Sequence, residues 1–290
     1  MALSKYDIEL DLAAGPDTSH AYMVELIGHN GDVLDVGCDT GYLGEVLATR
    51  GNRVAGVEID EVTAEAARQR LTEVFVADLE ATDLVEHFGA GRFDVVVFGD
   101  VLEHLRDPLP VLRRARDLLK PGGSVVISTP NVAHGDIRLS LLQGNWRYTK
   151  VGILDHTHTR FFTRESLDAF AQEAGFVVTD WRRTSAPLFG TETELDPAAF
   201  PADLVQRLAA DPEATTYQFV VRIVPADAAT HQAAIAGDLD TARTELAGAR
   251  REIEQLRHEL AGARAAAATP LTVRSLAGRA FRKARRSLRN

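Results

Sequence analysis

A single cysteine, Cys38, occurs among 290 residues, so no internal disulfide can form and the fold must rest on packing alone. No uninterrupted apolar run reaches the roughly 18–20 residues that a membrane-spanning helix requires, and the first residues lack a signal-peptide pattern. A reducing, cytoplasmic setting is expected. Acidic side chains are missing from residues 271–290, where Arg274, Arg279, Arg282, Lys283, Arg285, Arg286 and Arg289 stand without one carboxylate. Setting those seven cations aside leaves 25 basic against 42 acidic residues, a formal charge of −17 for the remainder. So acidic a body would be repelled by nucleic acid, which is therefore not an expected partner.

What the chain does contain is an alternation of strand-like and helix-like segments from Val33 to Thr129, the pattern of a doubly wound, mostly parallel α/β sheet. Residues 33–44 run from an apolar strand into glycines and then into a helix-like pattern. Gly37 and Gly41 have no Cβ, so the backbone there can turn sharply and admit a ligand, with Asp35 and Asp39 beside the opening. Glu58 ends the next β-like run, twenty-one residues after Gly37, where a carboxylate can accept hydrogen bonds from a ribose diol. Gly37, Gly41 and Gly44 read G-x-x-x-G-x-x-G and not the dinucleotide-binding G-x-G-x-x-G, which points to an adenosine ligand without a pyrophosphate.

Three further runs follow in order: Val76 to Leu79, Phe93 to Leu105, and Leu119 to Ser128 with Pro121-Gly122-Gly123 at its start. Together with the glycine loop and Glu58 they resemble the class I S-adenosylmethionine-dependent methyltransferases over roughly residues 19–225. The resemblance implies a Rossmann-like seven-stranded sheet closed by an antiparallel pair, here Val177 to Trp181 and Thr216 to Val224, around a proline-containing insert at about 187–212. It implies S-adenosyl-L-methionine as cofactor. The loop Asp35, Gly37, Cys38, Asp39 and Gly41 would hold the methionine moiety, Glu58 and Ile59 the ribose side, Asp78 and Leu79 the adenine, and Gly99, Asp100 and Val101 would line the cofactor after the fourth strand. The family's usual D/E-x-G-x-G-x-G has Asp39 in place of its middle glycine here. Cys38 reads as a small polarisable filler beside that loop.

Methyl transfer to a hydroxyl needs alignment and a proton acceptor. His104, His156 and His158 are the candidate bases. A helix starting near Asp100 would put Asp100, Glu103 and His104 on one face, an alternative divalent-cation site that resembles the E-x-x-E-H metal motif of ubiquinone-biosynthesis and small-RNA 2′-O-methyltransferases, with Asp100 replacing the first glutamate and His156 or His158 as a further ligand. The run from Asn131 through Trp146 to Thr163 resembles a bacterial methyltransferase branch, of the type 11/23 kind, associated with glycan and cell-surface sugar biosynthesis. That implies O-methylation of a sugar hydroxyl of a glycan or nucleotide-sugar precursor. A small aromatic or quinone acceptor and a non-catalytic scaffold are the competing readings. Phe161 and Phe162 read as core, and Thr163 as an N-cap with Ser166 where a full capping box has glutamate.

The expected organisation is a methyltransferase domain over 1–225, a heptad helix over 226–268 and a basic amphipathic tail over 269–290. Ile235, Leu239, Ala242, Leu246, Ala249, Ile253, Leu256, Leu260 and Ala263 alternate four and three apart, an a/d seam that predicts pairing and a homo-oligomer. Leu271, Leu276, Phe281 and Leu288 interleave with the tail's cations, which predicts peripheral contact with the inner face of an anionic membrane.

Overall fold

The computed structural model describes residues 17–227 and, of the later part of the chain, 246–260 apart from 249 and 252. Two units divide at Ala234 and Ile235. In the second, the described residues are helical, and the heptad positions Leu246, Ile253, Leu256 and Leu260 are exposed. The other seam positions and the whole basic tail lie outside the described residues, as does the boundary expected after residue 225 beyond Asp227.

In the first unit a seven-stranded sheet runs in the order β3-β2-β1-β4-β5-β7-β6. Its strands are β1 (Asp32–Val36), β2 (Arg53–Glu58), β3 (Glu73–Val76), β4 (Phe93–Gly99), β5 (Leu119–Pro130), β6 (Phe176–Ser185) and β7 (Thr216–Pro225). The first five pair in parallel, and β7 lies antiparallel between β5 and β6. Near-continuous valine, leucine, isoleucine and phenylalanine in β1, β4 and β5 follow from burial on both faces. One face packs α1 (Ser19–Ile27), α2 (Tyr42–Thr49) and α3 (Glu61–Ala67) around Met23, Leu43, Leu47 and Leu71. The other packs α4 (Leu84–Phe88), α5 (Pro108–Leu118) and α7 (Arg164–Glu173) around Phe88, Phe98, Leu112 and Phe176.

Local chemistry sets the helix ends. Asp60 and Asp83 each accept an amide hydrogen bond at an N-cap, and Pro108 opens α5, where its fixed φ suits the first turn. The capping box at Thr163 is complete, because Ser166 Oγ accepts from the Thr163 amide at 2.8 Å while Thr163 Oγ1 accepts from the Ser166 amide at 3.1 Å. The box read as less than full from the sequence is thus closed by serine in the place of glutamate. Phe162 is core, as read from the sequence, and Phe161 packs beside the small cluster of Ile137, Ile153 and Leu154.

Between β5 and β6 the chain leaves the sheet. It forms α6 (Gly135–Leu142), loops through residues 143–163 and enters α7. Between β6 and β7 the insert carries α8 (Ala202–Ala209). No helix among the described residues is long and apolar enough to cross a membrane.

Candidate active site

Five parallel strands end on the same side, and their loops enclose a cavity of about 620 Å³. The turn after β1 is its floor. Gly37 has φ +74°, and a Cβ there would stand 2.6 Å from Val101 Cγ2, so only glycine lets the two loops meet. Asp39 takes φ +48° in place of the family's glycine; aspartate tolerates this left-handed conformation better than most residues. The Asp39 amide donates to Glu58 Oε2 at 3.0 Å. Glu58 Oε1 accepts from the amides of Ile59 and Asp60 at 2.8 and 3.0 Å. The carboxylate therefore locks the first loop to the end of β2 while it borders the cavity.

Gly37, Asp39, Glu58, Ile59, Asp78, Leu79, Gly99, Asp100, Val101 and His104 all line the cavity. Asp35, Cys38 and Gly41, expected to hold the methionine moiety, do not line it. Asp35 is buried, with no neutralising cation among the described residues; burial, then the charges of Glu58 and Asp39, push its pKa up to about 7. Cys38 fills the space left by Gly56, where a Cβ would lie 2.5 Å from Sγ, and burial pushes its thiol pKa far upward, consistent with an inert filler.

The Asp100, Glu103, His104 face expected on one helix does not form. Asp100 sits at φ +56° outside any helix, and only a single 3₁₀ turn, Leu102–His104, follows it. Its Oδ1 accepts from Ser128 Oγ at 2.9 Å and from Gln218 Nε2 at 2.5 Å, which turns Asp100 toward β5 and β7. The cluster that does form is Glu103, His104 and His158, with one ligand-capable atom from each within 4.8 Å of the others. Glu103 is 1% exposed, and among the described residues neither of its carboxylate oxygens has a hydrogen-bond partner. The Thr129 hydroxyl stands nearby without reaching bonding geometry. Burial, then the Asp100 charge, hold the Glu103 carboxyl well above the usual range.

The two histidines are fixed by their neighbours. Thr157 Oγ1 donates to Asp155 Oδ1 at 2.7 Å, so its one proton is used and it accepts from His104 Nδ1 at 3.1 Å. His158 Nδ1 faces the Ile153 carbonyl at 3.0 Å, an acceptor only. These partners assign both ring protons to Nδ1 and leave Nε2 as the lone-pair atom on each ring. Burial, then His158, lower the His104 pKa, which favours a neutral imidazole. Of the three candidate bases only His104 lines the cavity; His158 is buried off its lining, and His156 is exposed, 3.3 Å from both the Thr149 carbonyl and Asp155 Oδ1.

Thr157, Tyr42, Thr63, Glu80, Leu105 and Arg106 also line the cavity, unanticipated from the sequence. Thr157, Tyr42 and Leu105 each lay within a run already singled out, Thr157 between His156 and His158.

The methyltransferase domain family matches residues 12–180. Ubiquinone biosynthesis O-methyltransferase of Pseudomonas aeruginosa (strain UCBPP-PA14) is 34% identical over 152 residues, 51% of this chain and 65% of that protein. The enzyme of the same name from Hydrogenovibrio crunogenus is 32% identical over 155 residues, 52% and 64% of the two chains. The chain thus spans just under two thirds of the length of these relatives. Among solved structures, a Bacillus halodurans C-125 protein assigned to the methyltransferases superposes with TM-score 0.52 at 17% identity, covering 72% of this chain and 98% of its own, a likeness of fold. None of these relatives supports the expected glycan branch. With the family matched over more than half its length and the glycine loop, acidic strand end and cavity in place, the chain belongs to the class I S-adenosylmethionine-dependent methyltransferases.

Proposed function

We propose that this methyltransferase transfers the methyl group of S-adenosylmethionine to a hydroxyl of a small, phenol- or quinol-like acceptor, and that the acceptor is aligned at Glu103, His104 and His158. The observation that carries the reading is the convergence of a buried, unpartnered carboxylate and two imidazoles with oriented lone pairs beside the loop after β4. The ubiquinone-pathway names of the relatives at 34% and 32% identity support a small hydroxylated acceptor over the sugar hydroxyl first expected.

In this reading Glu58 holds the ribose diol with Ile59 beside it, Asp78 and Leu79 border the adenine, and Asp35 with the Gly37–Gly41 turn places a negative field near the sulfonium. The acceptor oxygen approaches past Gly99 to Val101. His104 Nε2 takes its proton as the oxygen attacks the methyl carbon in line, and the departing thioether becomes neutral. Thr157 and Asp155 keep the His104 proton on Nδ1 and so keep Nε2 ready. His158 and Glu103 crowd the same point, which restricts how an acceptor can enter.

A second reading has its own observation. A buried carboxylate without a partner and two imidazoles, each giving its Nδ1 proton to an oxygen, is a donor set that suits a divalent cation. Glu103, His104 and His158 would hold it, and when bound it would lower the pKa of an acceptor hydroxyl. Turnover of a catechol such as 3,4-dihydroxybenzoate with and without a chelator tests both. Methylation that persists in chelator supports His104 as base; loss restored by magnesium or manganese supports the cation; no methylation of any phenolic acceptor would remove the acceptor class. The exposed positions Leu246, Ile253, Leu256 and Leu260 further support self-association through the heptad seam, which light scattering would detect.

A further inference from the structure

The insert between β6 and β7 is seated on the loop that carries His158, and the seat is built from both sides. On one side buried Asp136, at the start of α6, accepts from the amides of Phe189 and Thr191 at 2.7 and 3.2 Å and from the Thr191 hydroxyl at 2.7 Å. On the other, Glu192 reaches back: Oε1 accepts from the Ile153 amide at 2.6 Å and Oε2 from the Tyr217 hydroxyl at 3.1 Å. Two glycines make room. A Cβ on Gly135 would stand 2.2 Å from Leu188 Cδ2, and one on Gly152 would stand 2.2 Å from Glu192 Oε1.

Ile153 is the joint. Its amide is held by Glu192, and its carbonyl, on the same residue, accepts the Nδ1 proton of His158 at 3.0 Å. Ile153 itself is fully buried against Ile137 and Leu154, so it cannot rotate freely to find another partner. Tyr217 ties the same carboxylate to β7. A rigid path therefore runs from β7 through Glu192 and Ile153 to one imidazole of the site.

We infer that Glu192 is a positioning residue: by fixing Ile153 it holds the carbonyl that keeps the His158 proton on Nδ1 and its Nε2 directed at Glu103 and His104. This rests on the site assignment proposed above. It makes the β6–β7 insert part of the catalytic apparatus although none of its residues lines the cavity. Glutamine can replace the carboxylate, since its carbonyl still accepts from the Ile153 amide and its amide group can donate to the Tyr217 oxygen. Alanine or aspartate cannot, the first lacking an acceptor and the second being one methylene short.

Long-range ¹⁵N-histidine spectra of the full-length protein test the inference without any substrate, with His158→Gln assigning the resonance. The wild type should show His158 as one tautomer protonated at Nδ1. Glu192→Ala should convert it to an exchange-averaged or Nε2-protonated ring, and Glu192→Gln should restore the wild-type pattern. An unchanged His158 signal in Glu192→Ala would overturn the inference; if that variant does not fold, Glu192→Asp serves in its place with the same two outcomes. Turnover then separates this from the site assignment. If His158→Gln leaves methyl transfer intact, the assignment of His158 to the site fails, while the tautomer spectra still decide what Glu192 does.

Discussion

Asp32 and Asp35 lie three residues apart on β1, at opposite ends of the sheet, and their surroundings drive them in opposite directions. At the amino end Lys120 Nζ donates to Asp32 Oδ2 at 2.6 Å and to Asp94 Oδ2 at 2.8 Å, while Arg53 also pairs with Asp32. The pKa values of both carboxyls fall below the ordinary aspartate value, chiefly through Lys120. At the carboxyl end Asp35 and Glu103 are buried with no such cation, and both rise. One end stitches four strands together, β1, β2, β4 and β5; the other keeps negative charge in reserve. A sheet end with uncompensated carboxylates is costly to the apo fold, and a cationic cofactor is the kind of ligand that offsets the cost.

The comparison can be broken most forcefully at His104. Replacing it with glutamine should lower turnover by about 10²-fold or more, the range of general-base contributions, while affinity for S-adenosylhomocysteine, measured by calorimetry, stays the same. Equal losses of affinity and turnover would show that His104 serves the cavity's structure. Next in size is Glu58→Ala. It should weaken S-adenosylhomocysteine binding by roughly 1.5–3 kcal/mol if both diol hydrogen bonds go, and unchanged affinity would remove Glu58 from the ribose.

Asp35 sharpens the contrast through pH. Because its pKa is about 7 in the free protein, S-adenosylmethionine should bind more tightly as pH rises through that value and its carboxylate ionises. Below it, affinity should fall by up to about tenfold per pH unit, and Asp35→Asn should flatten the profile. The sign for stability is the reverse: the contribution of neutral Asp35 is full below about pH 4 and is lost as pH rises through about 7, so Asp35→Asn should raise the melting temperature at pH 8. The smallest effect belongs to Lys120→Met. The stability from Asp32 and Asp94 is present above their unfolded pKa near 4 and is lost as pH falls through their lowered folded values, so this variant should unfold at a higher pH on acid titration.

Much of this arrangement was legible in the residues. The glycine turn at Gly37, Glu58 at a strand end and the alternation to Thr129 specify strands, turns and a cofactor-bearing edge, because each is a local rule of backbone and pattern. The departures were tertiary. Nothing in the segment around Asp100 announces a left-handed residue, since what holds it there is Gln218, more than a hundred residues away. His156 and His158 share one short motif, yet a turn sends the first to solvent and buries the second. The sugar acceptor rested on the 131–163 run alone, and the site's acceptor end is set by which side chains that loop brings to His104. Periodicity does not encode that.

Gln218 has a consequence for biosynthesis. It belongs to β7, the strand that slots between β5 and β6 after every other strand has been made. A nascent chain that has emerged only as far as Ser185 has β6 but lacks the one neighbour with which that strand pairs. It also lacks the amide that steadies Asp100 beside the cavity. Closure of the sheet and the fixing of Asp100 beside the cavity are thus a single late event, joining residues 100 and 128 to residue 218. Until then β5 presents an open sheet edge, since β7 is its neighbour on that side.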